Sequence, residues 1–125
     1  MGTDLDELEI YRSAERLAGI VWEIVSPWKE FERQTMGSQL VRAADSVGAN
    51  IAEAHGRYHF GEKLQFLYYA RGSLYETRHW LRLAYRRRLL QNVDAESLGQ
   101  HIEGLAIGLN RFAGSIRRFV GSRSR

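Results

Sequence analysis

Arg42, Ser46, Asn50, Glu53 and Arg57 recur at spacings of three and four, which on a helix lines a cation, a hydroxyl, an amide, a carboxylate and a second cation along one edge. Beside them Leu40, Ala44, Val47, Ile51 and Ala54 keep the same period and form an apolar stripe. A polar row next to a core is costly unless its members find partners. Arg42, Ser46, Asn50 and Glu53, with Arg71, Ser73 and Glu76 further along the chain, are therefore expected to form one satisfied polar network that fixes the register of two helices. As an enzyme site the set lacks a nucleophile and base pair, a phosphate-cradling glycine loop and a complete metal ligand set. No catalytic residue, no metal and no cofactor is expected, and the protein is read as non-enzymatic.

Two spacings invite a metal and both fall short. His55 and His59 are one turn apart only if a helix continues past Gly56, and Gly56 and Gly61 argue that it does not. Glu76 and His79 are three apart, half of a di-iron carboxylate arrangement, but no second Glu-x-x-His occurs in the chain.

Charge offers a stronger signal. Residues 1–77 hold eight basic and twelve acidic side chains, whereas residues 78–125 hold ten basic and three acidic, and sixteen of the eighteen cations are arginine. Arginine favours planar, bidentate recognition of carboxylate or phosphate. A polyanion is the partner that this half of the chain fits, and Arg78, Arg82, Arg86, Arg87, Arg88, Arg117 and Arg118 are the residues expected to meet it. Arg86, Arg87 and Arg88 also have a structural use, because cations are favoured at a helix C-terminus.

The elements that must position these groups are helices. A single proline, Pro27, and little β-branched alternation leave strands unsupported. The first helix is expected over about 6–25, with Asp6 as N-cap, a seam of Ile10, Ala14, Leu17, Val21 and Ile24, and a second apolar row of Tyr11, Ala18, Trp22 and Val25. Trp28 and Phe31 are expected to cap one end of the core. The second helix is expected over 38–56 with Ser38 as N-cap after Gly37, and the third over 61–88. The fourth is expected over 94–120, capped by Asp94, with the seam Leu98, Ile102, Leu105, Leu109, Phe112, Ile116 and Phe119, and a disordered basic tail over 121–125. Gly104 and Gly108 on its flank are expected to admit a close approach, most naturally of another subunit.

Short connections between four helices give an all-α, antiparallel, up-down-up-down four-helix bundle as a single domain over residues 1–125. Helices one and three each carry more apolar rows than one small bundle buries, so a homo-oligomer is expected. The absence of cysteine fits a reducing cytoplasm. Residues 1–10 hold no apolar run of a signal peptide, Asp6 stands where a myristoylation motif wants Ser or Thr, and no long apolar run would span a membrane.

Several strings then resemble a known family. They are Leu8-Glu9-Ile10-Tyr11 with Ala14, Gln39-Leu40-Val41-Arg42-Ala43-Ala44 leading to Ser46-Val47 and Asn50-Ile51-Ala52-Glu53, then Gly56-Arg57, Phe66-Leu67, and Ala70-Arg71-Gly72-Ser73-Leu74 with Glu76. Over about residues 8–120 the chain resembles the four-helix-bundle family encoded in 23S ribosomal RNA intervening sequences. It departs from the family pattern at Ala54, where Gly is usual, and at Gly48, where Pro is frequent. The resemblance implies a bacterial, cytosolic bundle assembling as a ring-like homo-pentamer, similar to the accessory proteins of diversity-generating retroelements, which bind nucleic acid and a reverse transcriptase. Two functions follow as expectations: binding of structured RNA or an RNA–DNA hybrid through arginine-rich surfaces, or a scaffold that binds a protein partner.

Overall fold

The computed structural model describes residues 4–123, and these form four long helices with no strand among them. The first runs Asp4–Val25, the third Phe60–Arg86 and the fourth Asn92–Arg123. The second is longer than expected. A helical start at Glu30–Glu32 passes through a π-helical turn, Arg33–Gly37, into Ser38–Gly56. Ser38 is therefore not an N-cap: its backbone is helical (φ −63°, ψ −38°), and its hydroxyl donates to the Gln34 carbonyl at 3.0 Å. The extended residue that precedes the helix is Lys29 (φ −64°, ψ 159°).

Gly37 is not a breaker either. Its φ of −59° suits any residue, but a Cβ there would lie 2.8 Å from Val25 Cγ1, so glycine lets the second helix pass the end of the first. Phe31 sits on the outer side of this turn and is 74% exposed, while Trp28 alone caps the core.

Each long helix buries one stripe. Ile10, Ala14, Leu17, Val21 and Val25 come from the first and Leu40, Ala44, Val47, Ile51 and Ala54 from the second. Leu67, Leu74 and Leu81 from the third meet the seam Leu98, Ile102, Leu105, Leu109, Phe112 and Ile116 of the fourth, while Phe119 packs edge-on to Phe60 at 4.8 Å. Complete burial of a leucine or isoleucine contributes about 1.5–3 kcal/mol, so these rows hold the bundle together. The first and third helices each pack against the second and the fourth, the neighbour pattern of an up-down-up-down bundle. Of the expected second row of the first helix, Val25 is buried, in place of the half-buried Ile24 of the expected seam, Tyr11 and Ala18 are half-buried against the core, and Trp22 is 60% exposed.

Helix ends explain the other differences. The fourth helix starts at Asn92, so Asp94 lies in its first turn rather than capping it, and its helical backbone continues to Arg123 instead of giving way at Gly121. The side chain of Asp6 and all of Arg125 fall outside the described residues. Gly108 does admit a close approach, but within the chain: a Cβ there would lie 2.9 Å from Ile10 Cγ2 of the first helix, while Gly104 faces open space.

Candidate nucleic-acid interface

The third helix positions most of the cations. At about 100° per residue, Tyr68, Arg71, Tyr75, Arg78, Arg82, Tyr85 and Arg86 fall within an arc of about 100° and form one stripe. The stripe opens on the fourth helix side, because Arg71 Nη1 donates to Asn110 Oδ1 at 3.0 Å and Arg117 Nη1 to the Tyr68 hydroxyl at 2.6 Å. Guanidinium groups lie over phenol rings along it: Arg71 over Tyr68 at 5.4 Å, Arg78 over Tyr75 at 4.9 Å, and Arg117 over Tyr68 at 6.0 Å. Such packing orients an exposed arginine without neutralising it.

The facing row of the fourth helix, Glu96, Glu103, Asn110 and Arg117, changes from acidic to basic along its length. Even so, Arg78, Arg82, Arg86, Arg87, Arg88, Arg117 and Arg118 form no ion pair among the described residues, and all seven are exposed.

The seven do not share one surface. Arg78, Arg82, Arg86 and Arg117 belong to the stripe. Arg87 and Arg88 lie past the helix end, correcting the expectation of a helix through Arg88. Arg87 reaches Met36 Sδ at 4.0 Å, and Arg88 adopts the left-handed conformation with φ 64°. The hydrogen bonds Arg88 N–H to Tyr85 O at 3.1 Å and Leu89 N–H to Ala84 O at 2.8 Å close the helix as a Schellman motif, with arginine in the place where glycine is usual. Arg118 turns the other way, into a groove between the first and fourth helices lined also by Glu9, Arg16 and Arg111.

The expected polar network is not assembled. Asn50 Nδ2 donates to Ser46 O at 2.9 Å within the second helix, and Arg57, the extended residue just past its end, pairs with Glu53 at 2.9 Å. Ser73 O accepts from Thr77, Glu76 Oε1 accepts from Trp80 Nε1 at 3.5 Å, and Arg42 is exposed. Most of these groups bond one turn away or face solvent; Arg57 lies over the Phe66 ring of the third helix at 4.5 Å, and Arg71 reaches the fourth helix, where it joins the cationic stripe. Glu76 and His79 both face outward, and no group of three or more His, Asp or Glu among the described residues is placed to hold a metal.

Two partly buried polar clusters were not foreseen. Glu7 is 5% exposed and its Oε2 lies 3.0 Å from His55 Nδ1, while Lys63 Nζ, 4.0 Å from Glu7 Oε1, donates to the carbonyls of Ala54 and His55 at the end of the second helix. Three helices are tied at one end by this cluster. Ser13 Oγ lies 3.0 Å from His101 Nε2, which is also 2.9 Å from the Ser13 carbonyl. A carbonyl only accepts, so Nε2 carries the hydrogen and cannot serve as a base toward Ser13. Tyr68 and Tyr75 of the stripe were also missed, although Tyr68 with Tyr75 and Arg71 with Arg78 repeat at seven residues and signal a shared face.

The fold is that of a four-helix bundle whose chemistry-bearing groups lie on an outer face rather than in a cleft, and none of its described helices is long and apolar enough to cross a membrane. The chain belongs to the 23S rRNA-intervening sequence protein family, whose model matches residues 6–111. It is similar to a crystal structure of a protein of unknown function from the S23 ribosomal protein family of Bacteroides thetaiotaomicron. The two share 20% identity and a TM-score of 0.78, over 87% of this chain and 98% of that one, a likeness that establishes the fold. Comparison with curated proteins finds no match.

Proposed function

We propose that this protein is a non-enzymatic, self-associating helical bundle that binds structured RNA or an RNA–DNA hybrid through the arginine stripe of its third helix. The observation that carries the reading is that its arginines point outward with no carboxylate paired to them. A guanidinium can be taken up by an acid a turn away, as Glu53 takes up Arg57 just past the end of the second helix. Left unpaired, with Arg71, Arg78 and Arg117 held over phenol rings, the guanidinium groups of the stripe are arranged for phosphate oxygens. Resemblance to retroelement accessory proteins extends the reading to a reverse transcriptase as a protein partner acting on the same nucleic acid.

Self-association is supported by apolar side chains left uncovered, Leu8, Ile20 and Trp22 of the first helix among them. Repeated subunits, a pentamer on the family resemblance, would multiply a modest charge into a strong field. Light scattering that returns the mass of one chain at micromolar concentration rules this part out. The scaffold reading is favoured by the same uncovered side chains and by Phe31, and it requires binding that salt barely affects.

The deciding experiment is affinity for a structured RNA as a function of salt. For every phosphate that the protein no longer neutralises, the slope of log K against log salt flattens by about 0.9. Replacing Arg78, Arg82 and Arg86 together by Ala is therefore expected to flatten it by about 2–3. An unchanged slope removes the stripe from the interface.

A further inference from the structure

We infer, resting on the nucleic-acid reading above, that the third helix takes unpaired bases of an RNA and stacks them on Tyr75 and Tyr68 while the neighbouring arginines hold the phosphates. Orienting the arginines occupies only part of each ring, and Tyr75 stays 41% exposed beside Arg78. A duplex keeps its base faces inside the stack, whereas loops and single strands expose them, and aromatic side chains beside arginines are the recurring platform for such bases.

The rings are built into the face. Tyr68 is fixed at its hydroxyl by Arg117 and flanked by Arg71, so little side-chain freedom is lost when a base arrives. Tyr75 is 41% exposed, its hydroxyl makes no hydrogen bond among the described residues, and Arg78 lies 4.9 Å from its ring centre. Seven residues separate the two tyrosines, about 10 Å along the helix axis. That span is close to three successive base rises of about 3.4 Å, so nucleotides three steps apart on one strand can engage the two rings.

The test uses the full chain and fluorescence anisotropy with two end-labelled RNAs of equal phosphate number, one unpaired and one a blunt duplex. Both tyrosines are on the surface, and circular dichroism verifies that each variant keeps its helices. Tyr75→Leu keeps the bulk and removes the π-face. It is expected to weaken binding of the unpaired RNA by about tenfold, and to weaken the duplex much less, by the loosened orientation of Arg78 alone. Tyr75→Phe is expected to bind like the wild type, because only the hydroxyl is gone.

Equal loss on both RNAs, no loss on the unpaired one, or a Phe variant as weak as the Leu variant overturns the stacking. If the wild type still binds the duplex with a steep salt slope in those cases, the phosphate reading survives the failure. If it binds neither RNA at low salt, both readings fall together.

Discussion

Arg88→Gly is expected to raise stability and weaken nucleic-acid binding in the same molecule. Arg88 holds φ at 64°, closing the third helix where a residue without Cβ is at ease. For an L-residue with a side chain the left-handed conformation costs about 1–2 kcal/mol. Glycine removes that cost but frees the unfolded chain by about 0.4–1 kcal/mol. The net is a gain of about 0.5–1 kcal/mol, read as a rise in melting temperature of about 2–4 °C. Urea unfolding followed by far-ultraviolet circular dichroism measures the gain directly. The same change deletes one cation at the corner beyond Arg86, outside the stripe, so a strand that runs on from the stripe past that corner loses one phosphate contact and its salt slope falls by about 0.9. Arg88→Ala separates the two effects, because it keeps the strained backbone and loses only the guanidinium: stability unchanged, slope reduced. A lower melting temperature for Arg88→Gly would refute the strain argument and show that the side chain holds the corner together. A raised melting temperature with an unchanged slope would leave the strain argument standing and remove Arg88 from the interface.

Two glycine comparisons test the packing. Gly104→Ala, at a position facing open space, is expected to stabilise by about 1 kcal/mol through helix propensity, whereas Gly108→Ala, whose Cβ meets Ile10 Cγ2 at 2.9 Å, is expected to destabilise by about 1 kcal/mol; equal responses in urea unfolding would discard the close crossing. Gly37→Ala is expected to lose about 1–3 kcal/mol by overpacking against Val25. Adding Val25→Ala should recover part of that loss in a double-mutant cycle, and strict additivity would show that the clash with Val25 does not set the cost.

The helices and their buried seams were legible because burial imposes a period: every residue of the fourth-helix seam from Leu98 to Ile116 is covered. What failed was reading composition as geometry. Gly37 looked like a stop, but its φ of −59° is ordinary and its missing side chain answers a neighbour far from it in local pattern, the end of the first helix. The row Arg42, Ser46, Asn50 and Glu53 looked as if it needed partners across a helix interface. Asn50 and Glu53 instead found theirs on the same helix or just past its end, and spacing alone does not distinguish an edge facing water from one facing a neighbour. The arginines were visible as charge, but Tyr68 and Tyr75 among them count as apolar in composition and so went unread as part of the same face.

The segregation of charge constrains how copies of this chain could assemble if the arginine stripe is to work. The trough between the first and second helices is lined by Ala14, Ala18, Gly48, Ala49 and Ala52 and bordered by the acids Glu15 and Asp45. Under the proposed function a phosphate backbone would meet Glu15 and Asp45 there and the arginine stripe on the other side, so the stripe is the side it approaches. Uncovered Leu8 and Trp22 flank that same trough, in the grooves that continue it toward either end. Copies joined through the trough side would bury apolar surface where phosphate is unwelcome and leave each stripe of guanidinium groups and phenols outward. Copies joined through the stripe would consume the cations. The proposed function therefore requires the first arrangement, in which each added subunit presents another Arg71, Arg78, Arg82, Arg86 and Arg117 to the same strand and affinity grows with subunit number rather than with charge per chain.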